Sequence, residues 1–159
     1  MQPAVLMRRG VNDKIGPLRA DLHFSMDYEY WIRCVKAGIK FAYVDEDFAF
    51  ARYHAANKTL GMRGKSYAEV CSMMKEHFGY VHSAWLKRYA AFLVAGYDGV
   101  LVSSGAADTG DDARLEGVYR ELLVAYNADR EVYSYISENA GRKEQGETLR
   151  EMNRLGVSP

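Results

Sequence analysis

From Lys65 onward the apolar residues return every three or four positions, and this change of period constrains the fold more than any other feature of the chain. Tyr67, Val70, Cys71, Met74 and Phe78 share one face of a helix, and Gly79 closes the run. Ser83–Ala95 has apolar residues on several sides, among them Trp85, Leu86, Phe92 and Leu93, and is expected to be the most buried helix. Tyr97–Asp112, rich in glycine and aspartate, reads as a loop. Leu115, Val118, Tyr119, Leu122, Leu123 and Tyr126 make a second stripe. Asp129 is placed to cap a helix running to about Asn139, and a polar helix follows from Lys143 to Leu155.

Residues 1–60 are patterned differently. Ala4-Val5-Leu6-Met7 is a short apolar run, and Gly16-Pro17 is turn punctuation. Ser25 is placed to cap a helix with Asp27 and Glu29 in its first turn, where carboxylates suit the positive end of the helix dipole. Trp31, Cys34 and Val35 follow at helical spacing, and Gly38 fits the position just past the helix end. Lys40–Asp45 and Phe48–His54 read as β-type stretches divided by the acidic corner Asp45-Glu46-Asp47. The expected fold is α+β but mostly helical: a short strand-helix-strand unit over residues 1–60, then a helical bundle over residues 61–159. So few strands do not make a sheet that stands alone, so their edges are expected to be covered by a second copy or a complementing chain.

The chain of 159 residues is 48% hydrophobic and 26% charged, which is ordinary for a soluble globular protein. Its 21 basic and 21 acidic residues cancel, which argues against a nucleic-acid partner held by overall charge. Cys34 and Cys71 lack C-x-x-C spacing, so neither a disulfide scaffold nor a structural zinc site is expected. No apolar run approaches the roughly 20 residues of a membrane-spanning helix. The N-terminus does not read as a secretory signal. A soluble, cytoplasmic protein is the expectation.

Three stretches, taken in order, carry a family resemblance. Gln2-Pro3-Ala4-Val5-Leu6-Met7-Arg8-Arg9 is similar to the strand that enters the acceptor side of family-two, GT-A-type glycosyltransferases. Leu22-His23-Phe24-Ser25-Met26-Asp27-Tyr28-Glu29-Tyr30-Trp31-Ile32-Arg33 resembles the segment in which those enzymes set a catalytic-base aspartate at a helix start. Arg52-Tyr53-His54 with Asn57-Lys58-Thr59 resembles their downstream Arg-x-His…Lys-Thr segment. The resemblance covers residues 1–60. The half that would bring the nucleotide-binding strands and the metal-holding Asp-x-Asp has no counterpart; Asp45-Glu46-Asp47 has the letters but lies downstream of the base helix.

Glycosyl transfer needs a base for the acceptor hydroxyl, a clamp on the departing nucleoside diphosphate and, in most cases, a divalent cation. The resemblance implies Asp27 as the base of an inverting reaction; the residues alone read as a carboxylate that caps or decorates the helix. Trp31, one turn on, stacks on an acceptor sugar or fills the core. Glu29 reads as a solvent or acceptor contact. His54 would reach the metal or pyrophosphate, or is a surface histidine, with Arg52 and Lys58 offsetting diphosphate charge. Gln2 and Arg8 would shape the pocket. His77 and His82 read as structural or exposed, and Asp108, Asp111 and Asp112 as helix capping rather than calcium ligands. The resemblance implies manganese or magnesium for a complete enzyme and no cofactor for this chain alone. It implies a nucleotide sugar with a saccharide or lipid-linked acceptor, the latter consistent with a peripheral place at the inner membrane surface. The isolated chain is expected to be inactive. The alternative is a non-catalytic helical interaction or oligomerisation module.

Overall fold

The structure, a computed structural model, describes residues 4–50, 62–96 and 112–158. The chain divides into two compact units, Met1–Met62 and Arg63–Pro159. Seven helices and no strand are found among the described residues. The expected α+β fold with a strand-helix-strand unit is thereby overturned. Ala4–Arg8 and residues 39–50 pair with no neighbouring strand. The reason is physical: β-branched and aromatic runs favour a pleated, half-buried surface, and without a partner on either edge that preference forms no ladder.

In the first unit α1 (Arg9–Ile15) packs on α2 (Met26–Lys36). Ser25 occupies the cap position of α2 without a side-chain capping bond, and Asp27 and Glu29 lie in the first turn. At the other end Gly38 adopts a φ of 72°. Its N–H donates to the Val35 carbonyl at 3.0 Å while the Ile39 N–H donates to the Cys34 carbonyl at 2.9 Å. This pair of bonds satisfies carbonyls the helix leaves open, and it needs the left-handed backbone that glycine adopts without strain. Two cations then cross between the helices. Lys14 of α1 donates to the Ala37 carbonyl at 2.9 Å, and Arg33 of α2 donates to the Ile15 and Pro17 carbonyls at 2.7 and 2.8 Å. Leu22, Tyr30, Ile32 and Cys34 form the small apolar core beneath.

The second unit is a helical assembly of α3 (Arg63–Phe78), α4 (Ser83–Ala95), α5 (Asp112–Asn127), α6 (Arg130–Glu138) and α7 (Lys143–Arg154). Helix α4 packs against α3, α5 and α7, and α6 packs against α7. From the sequence stripes, Tyr67, Val70, Cys71 and Met74 of α3 and Tyr119 and Leu123 of α5 are buried, joined by Leu86, Ile136 and Met152. Helix α4 buries Ser83, Leu86, Ala90 and Ala91 but leaves Leu93 45% exposed, so its apolar residues are not covered on every side. Tyr67 stacks on Tyr89 with ring centres 5.5 Å apart.

Polar groups fix the α3–α4 corner. The fully buried Asn127 amide accepts from the Val81 N–H at 2.9 Å and donates to the Val81 carbonyl at 2.8 Å. Buried backbone groups need such partners. His82 Nδ1 accepts from the Ala84 N–H at 3.1 Å and caps α4, while its Nε2 lies 3.4 Å from Glu147. Asp129 caps α6, accepting from the Glu131 and Val132 N–H groups. Gly146 in α7 passes so close to the Ala140 carbonyl that a Cβ there would sit 2.5 Å from its oxygen.

Candidate functional site

Helix α2 carries the central block of the resemblance. Asp27 is its second residue, half-buried, and its Oδ1 accepts from the Tyr28 N–H at 2.8 Å. A carboxylate so placed faces the positive end of the helix dipole. One turn on, Trp31 is half-buried and meets Tyr30 and Phe41 edge-on, with ring centres at 5.5 and 6.1 Å.

Glu29 is not the solvent contact that its place in the sequence suggests. It is 1% exposed, and both carboxylate oxygens accept from Arg33 Nε, at 2.9 and 3.0 Å. The Arg33 guanidinium lies 5.0 Å from the Tyr30 ring centre and reaches the end of α1 through its other two nitrogens. Glu29 and Arg33 thus hold the helix that presents Asp27. Sequence reasoning assigned Arg33 no role, although a glutamate four residues ahead of an arginine on a helix is a readable ion-pair signal.

A concavity of about 1110 Å³ opens in the first unit. Val5, Met7 and Arg8 contribute one part of its lining, Trp31 and Cys34 of α2 another, and Phe41 and Tyr43 a third, with Asp45, Glu46 and Asp47 also on its wall. The structure therefore brings Arg8 and Trp31 to one surface. Asp27 and Glu29 are not among its lining residues. Gln2, Arg52, His54 and Lys58 lie outside the described residues, as do Asp108 and Asp111, while Asp112 opens α5. Among the described residues no group of three or more His, Cys, Asp or Glu side chains could hold a metal ion.

The two thiols lie in apolar surroundings. Cys34 and Cys71 are both buried and unpaired with each other. Burial pushes the Cys71 thiol up to about 12, and burial also raises that of Cys34, so neither is a nucleophile at neutral pH. Among the described residues no helix is long and apolar enough to cross a membrane. The first unit offers an oriented carboxylate at the start of α2 and, on a concavity that Asp27 does not line, the aromatic face of Trp31. No family model, curated protein or solved structure matches the chain.

Proposed function

We propose that the chain is the acceptor-side portion of a nucleotide-sugar-dependent glycosyltransferase, with Asp27 as the base. The observation that carries this reading is Asp27 itself: a half-buried carboxylate in the first turn of α2, oriented by its bond to the Tyr28 N–H, on a helix held by the buried Glu29–Arg33 pair. In the reaction Asp27 takes the proton of an acceptor hydroxyl. That oxygen forms the new bond to the anomeric carbon, and the bond to the nucleoside diphosphate breaks with its electron pair leaving on the diphosphate. Trp31 offers a face for the acceptor ring, and Arg8 borders the same concavity. A divalent cation would neutralise the leaving diphosphate in a complete enzyme. Among the described residues no group of three or more His, Cys, Asp or Glu side chains could hold it. Donor binding belongs to a separate half, and the isolated chain is inactive.

Titration of the full chain with a panel of oligosaccharides, followed by tryptophan fluorescence, tests this. A saccharide is expected to quench the parent and the Trp85→Phe variant but not Trp31→Phe. In an enzyme complemented with a donor-binding half, Asp27→Asn is expected to lower turnover by about 10²- to 10⁴-fold while acceptor binding persists. Full turnover in Asp27→Asn, or no response to any saccharide, overturns the assignment. A second reading, a non-catalytic helical interaction module, is favoured by the separate core of the Arg63–Pro159 unit; it requires partner binding that is indifferent to Asp27→Ala.

A further inference from the structure

Four aromatic side chains line the concavity of the first unit: Trp31 from α2, and Phe41, Tyr43 and Phe48 from the segment that follows it. The planes of Trp31 and Phe41 stand 85° apart with ring centres at 6.1 Å, so the two rings meet as a corner and do not stack. Phe41 is 56% exposed, Tyr43 88% and Phe48 50%. Their ring faces, which carry the negative side of the aromatic quadrupole, are therefore open to a ligand. The wall also carries Asp45, Glu46 and Asp47, three carboxylates against the two cations Arg8 and Lys40. Asp45 Oδ1 accepts from the Tyr43 hydroxyl at 3.1 Å. That bond ties the ring to the charge and, by polarising the O–H, makes the ring face more negative.

We propose that this aromatic corner binds an alkylated ammonium group carried by a small organic molecule. Aromatic faces attract a cation through their quadrupole, and the carboxylates of the same wall add a field of the same sense. A methylated nitrogen is weakly hydrated and presents methyl groups, so the rings and the aliphatic lining of Val5 and Met7 replace its water at small cost. A metal ion asks for the opposite, several oxygens converging on one point. Among the described residues the three carboxylates do not make such a group, so they act through charge and not as ligands. A neutral apolar molecule would leave the acidic wall unused. The site shares Trp31 with the acceptor surface but does not depend on Asp27 acting as a base. Cation binding and saccharide binding are measured separately and can fail separately.

The test sets choline against its uncharged carbon isostere, tert-butylethanol, on the full chain. The Trp85→Phe background leaves Trp31 as the only tryptophan, so its fluorescence reads the corner, and broadening of the ligand methyl proton signals gives a second readout. Choline is expected to bind, and the isostere to bind about 10-fold more weakly. Phe41→Leu and Tyr43→Leu keep apolar bulk but remove a ring. Each is expected to weaken choline about 2- to 5-fold and to change the isostere little. Asp45→Asn is expected to weaken choline more at low salt than at high salt. All three positions are exposed, so circular dichroism should show the helices unchanged. Absence of choline binding, an isostere that binds as well as choline, or choline binding indifferent to both ring removals overturns the inference. Saccharide quenching of Trp31 without any choline response would overturn it too, while leaving the acceptor reading in place.

Discussion

Replacing Arg33 by alanine takes a guanidinium from beside the 1% exposed Glu29 carboxylate and the donor from the Ile15 and Pro17 carbonyls. Breaking a buried pair from one side costs up to about 3–5 kcal/mol. The two carbonyls add less, since water reaches them. A unit spanning Met1–Met62 has a total stability of about 3–9 kcal/mol at typical values per residue. The substitution is therefore expected to unfold the first unit or bring it to the threshold. Trp31 and Trp85, the only two tryptophans, fall one in each unit, so urea titration in a Trp85→Phe background reads the first unit alone. The midpoint should fall by about 2–3 M, and Arg33→Met combined with Glu29→Gln should recover part of the loss. A loss below about 1 kcal/mol, as for an exposed pair, would refute the reasoning. So would a double variant no more stable than Arg33→Ala.

Three further outcomes follow from the second unit. Gly146→Ala drives a Cβ to within 2.5 Å of the Ala140 carbonyl oxygen, a backbone atom that cannot swing aside, and should cost about 1–3 kcal/mol in chemical denaturation; a change near zero would mean the α6–α7 turn opens freely. Asn127→Leu leaves the Val81 N–H and carbonyl without their buried partner and should cost about 2–4 kcal/mol, whereas unchanged stability would show that water replaces the amide. Burial, with the Glu144 carboxylate and Tyr135 nearby, pushes the Tyr80 hydroxyl up from 10.0 to about 12, and burial lifts the Cys71 thiol from 9.0 to about 12. Both groups ionise more readily in the unfolded chain, so their stabilising contribution is complete below pH 9 and is lost as pH rises toward 12. Melting temperatures measured across the alkaline range should fall less steeply in Tyr80→Phe, and an unaltered slope would contradict the assignment.

The helices of the second unit were legible because their signal is local. Tyr67, Val70, Cys71 and Met74 mark a face within one helix, and Asp129 announces its cap two residues before the N–H it binds. What stayed hidden depends on distant partners. Lys40–Asp45 has the residues of a strand, but whether it joins a ladder is decided by a neighbour that its own letters do not specify. Asn127 lies 46 positions from Val81, and Thr148 accepts from the Ser83 N–H across 65, so neither could be recognised as a buried linchpin from its surroundings in the sequence. Glu29 reads as a solvent or acceptor contact because a carboxylate is seldom buried, yet an arginine four residues on pairs with it. Of the candidate site, the helix start at Asp27 was legible, while the concavity that Arg8 and Trp31 share was not, because segments far apart in the sequence line it.

The crossed cations of α1 and α2 have a consequence for how this part of the chain can change. Helix α1 has seven residues, too short to persist by its own hydrogen bonds, and its final carbonyl is closed by a side chain that exists in position only once α2 has formed. The carbonyl of Ala37, just past the end of α2, is closed in turn by Lys14. Neither helix can therefore be moved, swapped or inherited alone: an insertion between Gly16 and Ser25 that shifts one end by a single turn uncouples both, and a peptide ending at Ile15 should show no helix at all.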